Sequence, residues 1–200
     1  MYGILSEKER NDMNMRLVKT YLKENYHVSN YQIAQIEFLF KTLFSELSKM
    51  LVMGILFYQY LDLYLFALCI MLYLRTTTGG LHFYTYIGCL TVSILYIGTA
   101  IVLLPNVVPP LPSCVQIAAL LASILVCHFT GPVTSKYRPE LSRQQFCHFR
   151  DITCRGIFVY ALILYVIPEN RFLQVGFWII ILHSLQLLAA KIRKKGEYAV

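Results

Sequence analysis

One stretch of the chain gathers residues able to act together on a carbonyl group: Arg75, Gly79, Gly80, His82 and Cys89, in the run RTTTGGLHFYTYIGC. A thiol is a competent nucleophile as its thiolate, which a neighbouring histidine or a helix N-terminus favours. A guanidinium pairs with a carboxylate, or supports the oxyanion of an acyl intermediate together with backbone N–H groups such as those around Gly79-Gly80. The chemistry these types allow is attack by Cys89, with His82 as base and Arg75, Gly79 and Gly80 as oxyanion or substrate support. It requires no metal and no cofactor.

Spacing constrains that reading. His82 and Cys89 are seven positions apart, so one continuous helix would hold them on one face about 10 Å apart along its axis, too far for a hydrogen bond. A working pair needs a break, which Gly79, Gly80 and Gly88 permit. The expectation is a helix capped by Thr85, with Cys89 about a turn inside its partially positive end and His82 on a preceding loop folded back over the thiol. Two ordinary readings compete: a neutral buried histidine beside an inert cysteine, and an arginine that snorkels to lipid headgroups. Cys127-His128 is a second pair, and Cys147-His148 with Cys154 offers three ligands without a clear fourth, short of a zinc site. Glu140, Asp151 and Gln116 are candidates by chemistry alone for a third residue orienting His82.

The elements that must hold this stretch are membrane helices. Apolar residues make up 57% of the chain and charged residues 14%, a composition of an all-α integral membrane protein. Polar, charged residues fill the first thirty positions, where a cleavable signal peptide would carry its apolar region, so the N-terminus is expected to stay cytosolic. Six cysteines without a CxxC spacing indicate neither a zinc ribbon nor a secreted disulfide framework. The net charge of +7 reads as cytosolic loops facing anionic lipid headgroups, and excludes nucleic acid as the preferred partner.

The whole of 1–200 reads as a single membrane domain. Residues 1–49 form amphipathic helices at the cytosolic interface, 50–190 a transmembrane bundle and 191–200 a basic cytosolic tail. Capping-box patterns, Ser6-x-x-Glu9 and Ser29-x-x-Gln32, open the two amphipathic helices. Met50 to Leu74 is read as a hairpin turning near Gln59 to Asp62. With later apolar segments at about 84–104, 111–130, 152–167 and 172–190 this gives about six passes. That arrangement leaves 17 lysines and arginines inside and Arg171 alone outside, whereas a single crossing leaves eight inside and ten outside. The positive-inside tendency favours the hairpin, with both termini cytosolic and its two halves short or tilted, since about 20 apolar residues are needed to span. Pro105 to Pro112 and Pro168 to Arg171 read as outer turns, and Gly131 to Arg155 as the one substantial inner loop.

The spacing Arg-x-x-x-Gly-Gly-x-His-x-x-x-x-x-x-Cys resembles the signature of the accessory gene regulator protein B family, AgrB. The likeness extends to chain length, a polar N-terminal region, about six passes, and Gly131, Pro132, Arg138 and Pro139 after the fourth pass. The resemblance implies a membrane cysteine endopeptidase of the bacterial cytoplasmic membrane that processes the precursor of a cyclic autoinducing peptide for quorum sensing. Cys89 matches the nucleophile and His82 its base; Arg75 and Gly80 match supporting positions. The implied precursor has an amphipathic N-terminal helix and an acidic C-terminal tail, which the basic residues Lys136, Arg138 and Arg143 would attract. Self-assembly to a homodimer is a further implication. Phe83 departs from the small residue expected after the histidine, which bears on pocket shape. From the residues alone, a small peptide transporter or sensor without chemistry is the alternative, with His82 and Arg75 lining a passage.

Overall fold

The computed structural model describes residues 30–80, 85–133 and 141–197. The chain forms two compact units, Met1–Leu51 and Val52–Val200. Among the described residues the regular structure is helical, joined by one isolated bridge between Gly79 and Val133.

Helix α1, Asn30–Leu56, begins in the first unit and ends in the second without interruption. The amphipathic segment and the first apolar stretch, expected to part near residue 49, are therefore one helix. Phe40, Leu43, Phe44, Leu47 and Leu51 are exposed along it, an apolar stripe at three- and four-residue spacing. Lys49 and Glu46, one turn apart, form an ion pair. The earlier amphipathic helix and the Ser29 cap lie outside the described residues.

The second unit is a bundle. A short 3-10 turn, Tyr58–Tyr60, breaks the chain where Gln59 and Asp62 predict a turn, and α2 follows as Leu61–Thr78. Helix α3 runs over Tyr86–Val107, α4 over Ser113–Thr130, α5 over Arg143–Val166 and α6 over Arg171–Glu197. Leu63, Ala67, Met71 and Leu74 of α2 form a buried stripe that packs with Ile97, Leu120, Ile157, Leu164, Val175, Ile179 and Leu187. Gly156 lets α2 and α5 approach closely, since a Cβ there would overlap the Tyr73 ring and hydroxyl.

Cross-contacts fix the directions. Phe66 meets Phe172, and Thr78 meets His183, so α2 and α6 run parallel. Gln116 meets Gln174, and Ser123 meets Ser184, so α4 runs with them. Tyr73 bonds the Ile152 carbonyl and Thr77 meets Thr153 beside it, while Tyr160 reaches Leu173 at the start of α6, so α5 runs the other way. One end of the bundle therefore carries Thr78, Thr85, Thr130, Arg143 and Lys191, and the opposite end carries Pro105 to Pro112 and Pro168. Arg171 is the one lysine or arginine of this unit's described residues at the proline end, where its guanidinium lies 6.0 Å from the Tyr60 ring centroid.

Four of the described helices are long and apolar enough to cross a membrane: Tyr58–Thr78, Tyr86–Val107, Ser113–Thr130 and Arg171–Arg193. They coincide with the second, third, fourth and sixth expected passes. Outward-facing Leu95, Leu121, Leu125, Phe129, Phe158 and Leu162 are exposed, as a lipid-facing surface requires. The first and fifth expected passes are instead the apolar ends of α1 and α5. The other halves of those helices carry Glu37, Lys41, Glu46 and Lys49, and Arg150, Asp151 and Arg155, charges that hydrocarbon disfavours.

Two expectations about connections need correction. The inner loop expected to extend to Arg155 ends at Ser142, because α5 starts nine positions before the expected pass. Its cause is a capping box: the Ser142 hydroxyl accepts from the Gln145 N–H while the Gln145 side chain accepts from the Ser142 N–H. Pro105 is not a helix stop either. The turn over Thr99–Leu103 is a π-turn, with the Leu104 N–H bonded to the Thr99 carbonyl, and the helix resumes over Leu104–Val107 with Pro105 in its first turn. A widened turn there removes the need for the donor that proline lacks.

Candidate active site

Helix α2 ends in three threonines whose hydroxyls fold back on the preceding turn. Thr76 and Thr77 donate to the Tyr73 carbonyl, and Thr78 donates to the Leu74 carbonyl at 2.7 Å. A carbonyl only accepts, so this bond fixes the Thr78 hydroxyl proton. The Gly79 N–H closes the last turn on the Arg75 carbonyl. Gly79 then takes φ of +76° and Gly80 +153°, backbone conformations that side chains disfavour. The strand-like contact at this point is close: the Val133 N–H bonds the Thr78 carbonyl at 2.9 Å, and a Cβ on Gly79 would overlap the Val133 carbonyl oxygen. Gly80 is buried, facing the Gln186 side chain of α6.

Arg75 thus sits half-buried in the last turn of α2. Its cationic head lies within electrostatic range of Tyr96 on α3 and His183 on α6. Below the threonines the interior holds polar side chains that bond one another. Thr77 and Thr153 hydroxyls meet at 2.8 Å, and Thr78 Oγ1 and His183 Nε2 at 2.7 Å, all four residues being buried.

The chain resumes helix at Tyr86. Thr85 is extended and its hydroxyl accepts from the Gly88 N–H, so it is the N-cap that the spacing predicts. Cys89 is the fourth helical residue; its N–H bonds the Thr85 carbonyl at 3.1 Å and its side chain is half-buried. An unbroken helix from Arg75 through Cys89 is excluded, because α2 stops at Thr78 and α3 starts at Tyr86. Tyr96, two turns further along α3, donates to the Ile179 carbonyl of α6 at 2.7 Å. Thr78 of the Arg75 helix and Tyr96 of the Cys89 helix therefore bond the same helix at points one turn apart.

Other expected site residues distribute as follows. His82, Lys136, Arg138 and Glu140 lie outside the described residues. Arg143 is exposed as the first residue of α5. Asp151 is half-buried with an oxygen 3.4 Å from Arg150 Nε. Gln116 is at the proline end, its amide donating to Gln174, so it is removed from the candidates for orienting a group near Cys89. Cys127 is buried whereas His128 is exposed, which separates that pair. Cys154 points its sulfur toward the Ile124 carbonyl of α4, and no three His, Cys, Asp or Glu side chains converge among the described residues. None of the six cysteines forms a disulfide.

Sequence reasoning missed His183. Its signal was legible: a histidine inside an apolar segment of membrane-spanning length, where an ionisable side chain needs a partner or a task. Thr77, Thr78 and Thr153 carried no comparable signal, since threonine is ordinary in helices that bond their own carbonyls.

The fold and site together define an all-α membrane protein with a capped cysteine helix beside a double-glycine turn. The chain belongs to the AgrB family, accessory gene regulator B, whose model matches residues 15–187. Over 125 residues, 61% of this chain, it is 30% identical to a protein of Clostridium beijerinckii described as AgrB-like. The aligned stretch spans 62% of that relative's length. No solved structure matches the chain.

Proposed function

We propose that this chain is a membrane cysteine endopeptidase of accessory-gene-regulator quorum sensing, which cleaves a pro-peptide and allows its cyclisation. Family membership supports the quorum-sensing role. The observation that carries the chemistry is the position of Cys89, in the first turn of a Thr85-capped helix at the bundle end that also holds Arg75, Gly79 and Gly80. Backbone N–H groups of a first helical turn concentrate partial positive charge, which favours negative charge developing on a substrate beside them.

In the proposed reaction His82 accepts the Cys89 proton as sulfur attacks the scissile carbonyl. Arg75 and N–H groups near Gly79-Gly80 steady the oxyanion. Collapse of the tetrahedral intermediate breaks the peptide C–N bond, and His82 returns the proton to the departing amine. The N-terminal part of the precursor remains as a thioester on Cys89. An internal thiol or hydroxyl of that peptide then attacks the thioester carbonyl and loses its proton to His82. Cys89 departs as thiolate, leaving a thiolactone or lactone. A site bounded by membrane helices limits water, which favours ring closure over hydrolysis.

The basic end of the bundle is read as cytosolic by the positive-inside tendency, which puts the chemistry at the inner face of the bacterial membrane and both termini in the cytosol. On this reading the six-pass arrangement holds, with the apolar ends of α1 and α5 as its short passes. The precursor is a peptide with an amphipathic N-terminal helix held at the lipid surface and an acidic tail drawn to Lys136, Arg138 and Arg143. A homodimer is part of the same proposal.

The test is cleavage of such a precursor in membranes carrying the wild-type chain, Cys89→Ala or His82→Ala. Both variants should insert and accumulate normally yet release no C-terminal fragment. Cleavage at the wild-type rate by Cys89→Ala overturns the proposal.

A further inference from the structure

His183 is 1% exposed and lies within the apolar part of α6. Since the Thr78 hydroxyl gives its proton to the Leu74 carbonyl, the 2.7 Å contact to His183 has Nε2–H as donor and the Thr78 oxygen as acceptor. Imidazole Nδ1 is then a bare acceptor, and among the described residues it has no hydrogen-bond partner. Burying one such atom opposes folding, and a leucine at this position would avoid the penalty. What the imidazole contributes in return is one bond, to the residue that immediately precedes Gly79.

That bond lies at a junction. The Thr78 carbonyl holds Val133, its hydroxyl holds the final turn of α2, and Arg75 belongs to that turn. One helical turn before His183, the Ile179 carbonyl of α6 receives the Tyr96 hydroxyl from the Cys89 helix. Helix α6 is thus a common post for two otherwise separate pieces, the Arg75–Gly80 end of α2 and the Cys89 helix α3. Rotamers of a threonine and a histidine locked by packing and hydrogen bonding are the kind of support that holds reacting groups in register.

We propose that His183 is a positioning residue for the proposed active site, its Nε2–H fixing Thr78 and so holding the Gly79-Gly80 turn and Arg75 in register with Cys89. This rests on the endopeptidase reading. His183 does not touch substrate, being 1% exposed and bonded to Thr78 of α2.

The experiment compares His183→Leu with His183→Gln in the full-length membrane protein, because a glutamine side-chain amide reaches about as far as Nε2 and keeps a donor. For His183→Leu the expected result is kcat for precursor cleavage down about tenfold or more with KM nearly unchanged, since support is lost in the transition state rather than in binding. His183→Gln should recover most of the rate. Amide hydrogen exchange supplies a readout independent of activity: exchange at residues 77–80 should quicken about tenfold in His183→Leu and return toward wild type in His183→Gln. Should His183→Leu fail to insert, Thr78→Val and Thr78→Ser repeat the comparison from the other partner, with loss expected for valine and retention for serine. Wild-type cleavage and unchanged exchange in His183→Leu, or no recovery with glutamine, overturn the positioning role. Precursor left uncut by the wild-type chain overturns the endopeptidase reading instead, while the exchange comparison still decides whether His183 holds the turn.

Discussion

The two ends of the bundle hold their connections by different means. At the proline end, Pro105 to Pro112 and Pro168 restrict the chain covalently, and the amide of buried Gln116 pairs with that of half-buried Gln174. At the motif end, two glycines adopt backbone conformations that side chains disfavour, and the geometry is set by hydrogen bonds from Thr77, Thr78, Thr153 and His183. Proline limits a connection without specifying its fine position, whereas a bonded glycine turn is over-determined by its neighbours. Loose restriction suffices for a loop that only reverses direction. Groups meant to act on one carbonyl need the tighter kind.

The largest contrast between the ends should come from Cys89→Ala, which removes the nucleophile and should abolish precursor cleavage in a gel assay with the protein still in the membrane. Cys89→Ser should be nearly as severe, because a serine hydroxyl is a far weaker nucleophile without a thiolate. If either variant cleaves normally, the motif end is scaffold like its counterpart. Next in size is Gly79→Ala. Its methyl would overlap the Val133 carbonyl at positive φ, at a cost of about 1–3 kcal/mol. It should lower the thermal midpoint and reduce cleavage more than its stability loss alone explains.

Thiol labelling sharpens the comparison without substrate. Cys89 should react with a membrane-permeant alkylating reagent at least about tenfold faster than Cys127, which is buried. Equal rates for Cys89 and Cys69 would favour a transporter or sensor in which the thiol is packing. The smallest effect is expected at the proline end. Gln116→Leu removes one hydrogen bond together with an acceptor that has no partner among the described residues, so its stability change should stay within about 1 kcal/mol and cleavage should be unaltered. A large loss of activity there would erase the distinction between the ends.

What was legible in the sequence follows from how local each signal is. The break between Thr78 and Tyr86 and the Thr85 cap were readable because glycine and threonine act on their own backbone neighbours. The helix break at Tyr58–Tyr60 was readable because polar residues interrupt an apolar run there. The start of α5 was equally local, a Ser142-x-x-Gln145 pattern, but the charges around it are ones that a loop carries as readily as a helix. Pro105 misled because a π-turn widens the helix where proline would otherwise end it. The Thr78–His183 pairing spans 105 positions, and no periodicity or spacing connects its members; only packing does.

The π-turn in α3 also has a mechanical consequence for the cysteine. One extra residue per turn at Thr99–Leu103 means that a single deletion there would convert the segment to ordinary helix. The part before it, pinned by Tyr96 to Ile179, would keep its orientation, and the proline segment would swivel to take up the change. The helix therefore carries its slack ten residues beyond Cys89, on the far side of the pin, so that length changes in the distant loop dissipate before they can turn the thiol.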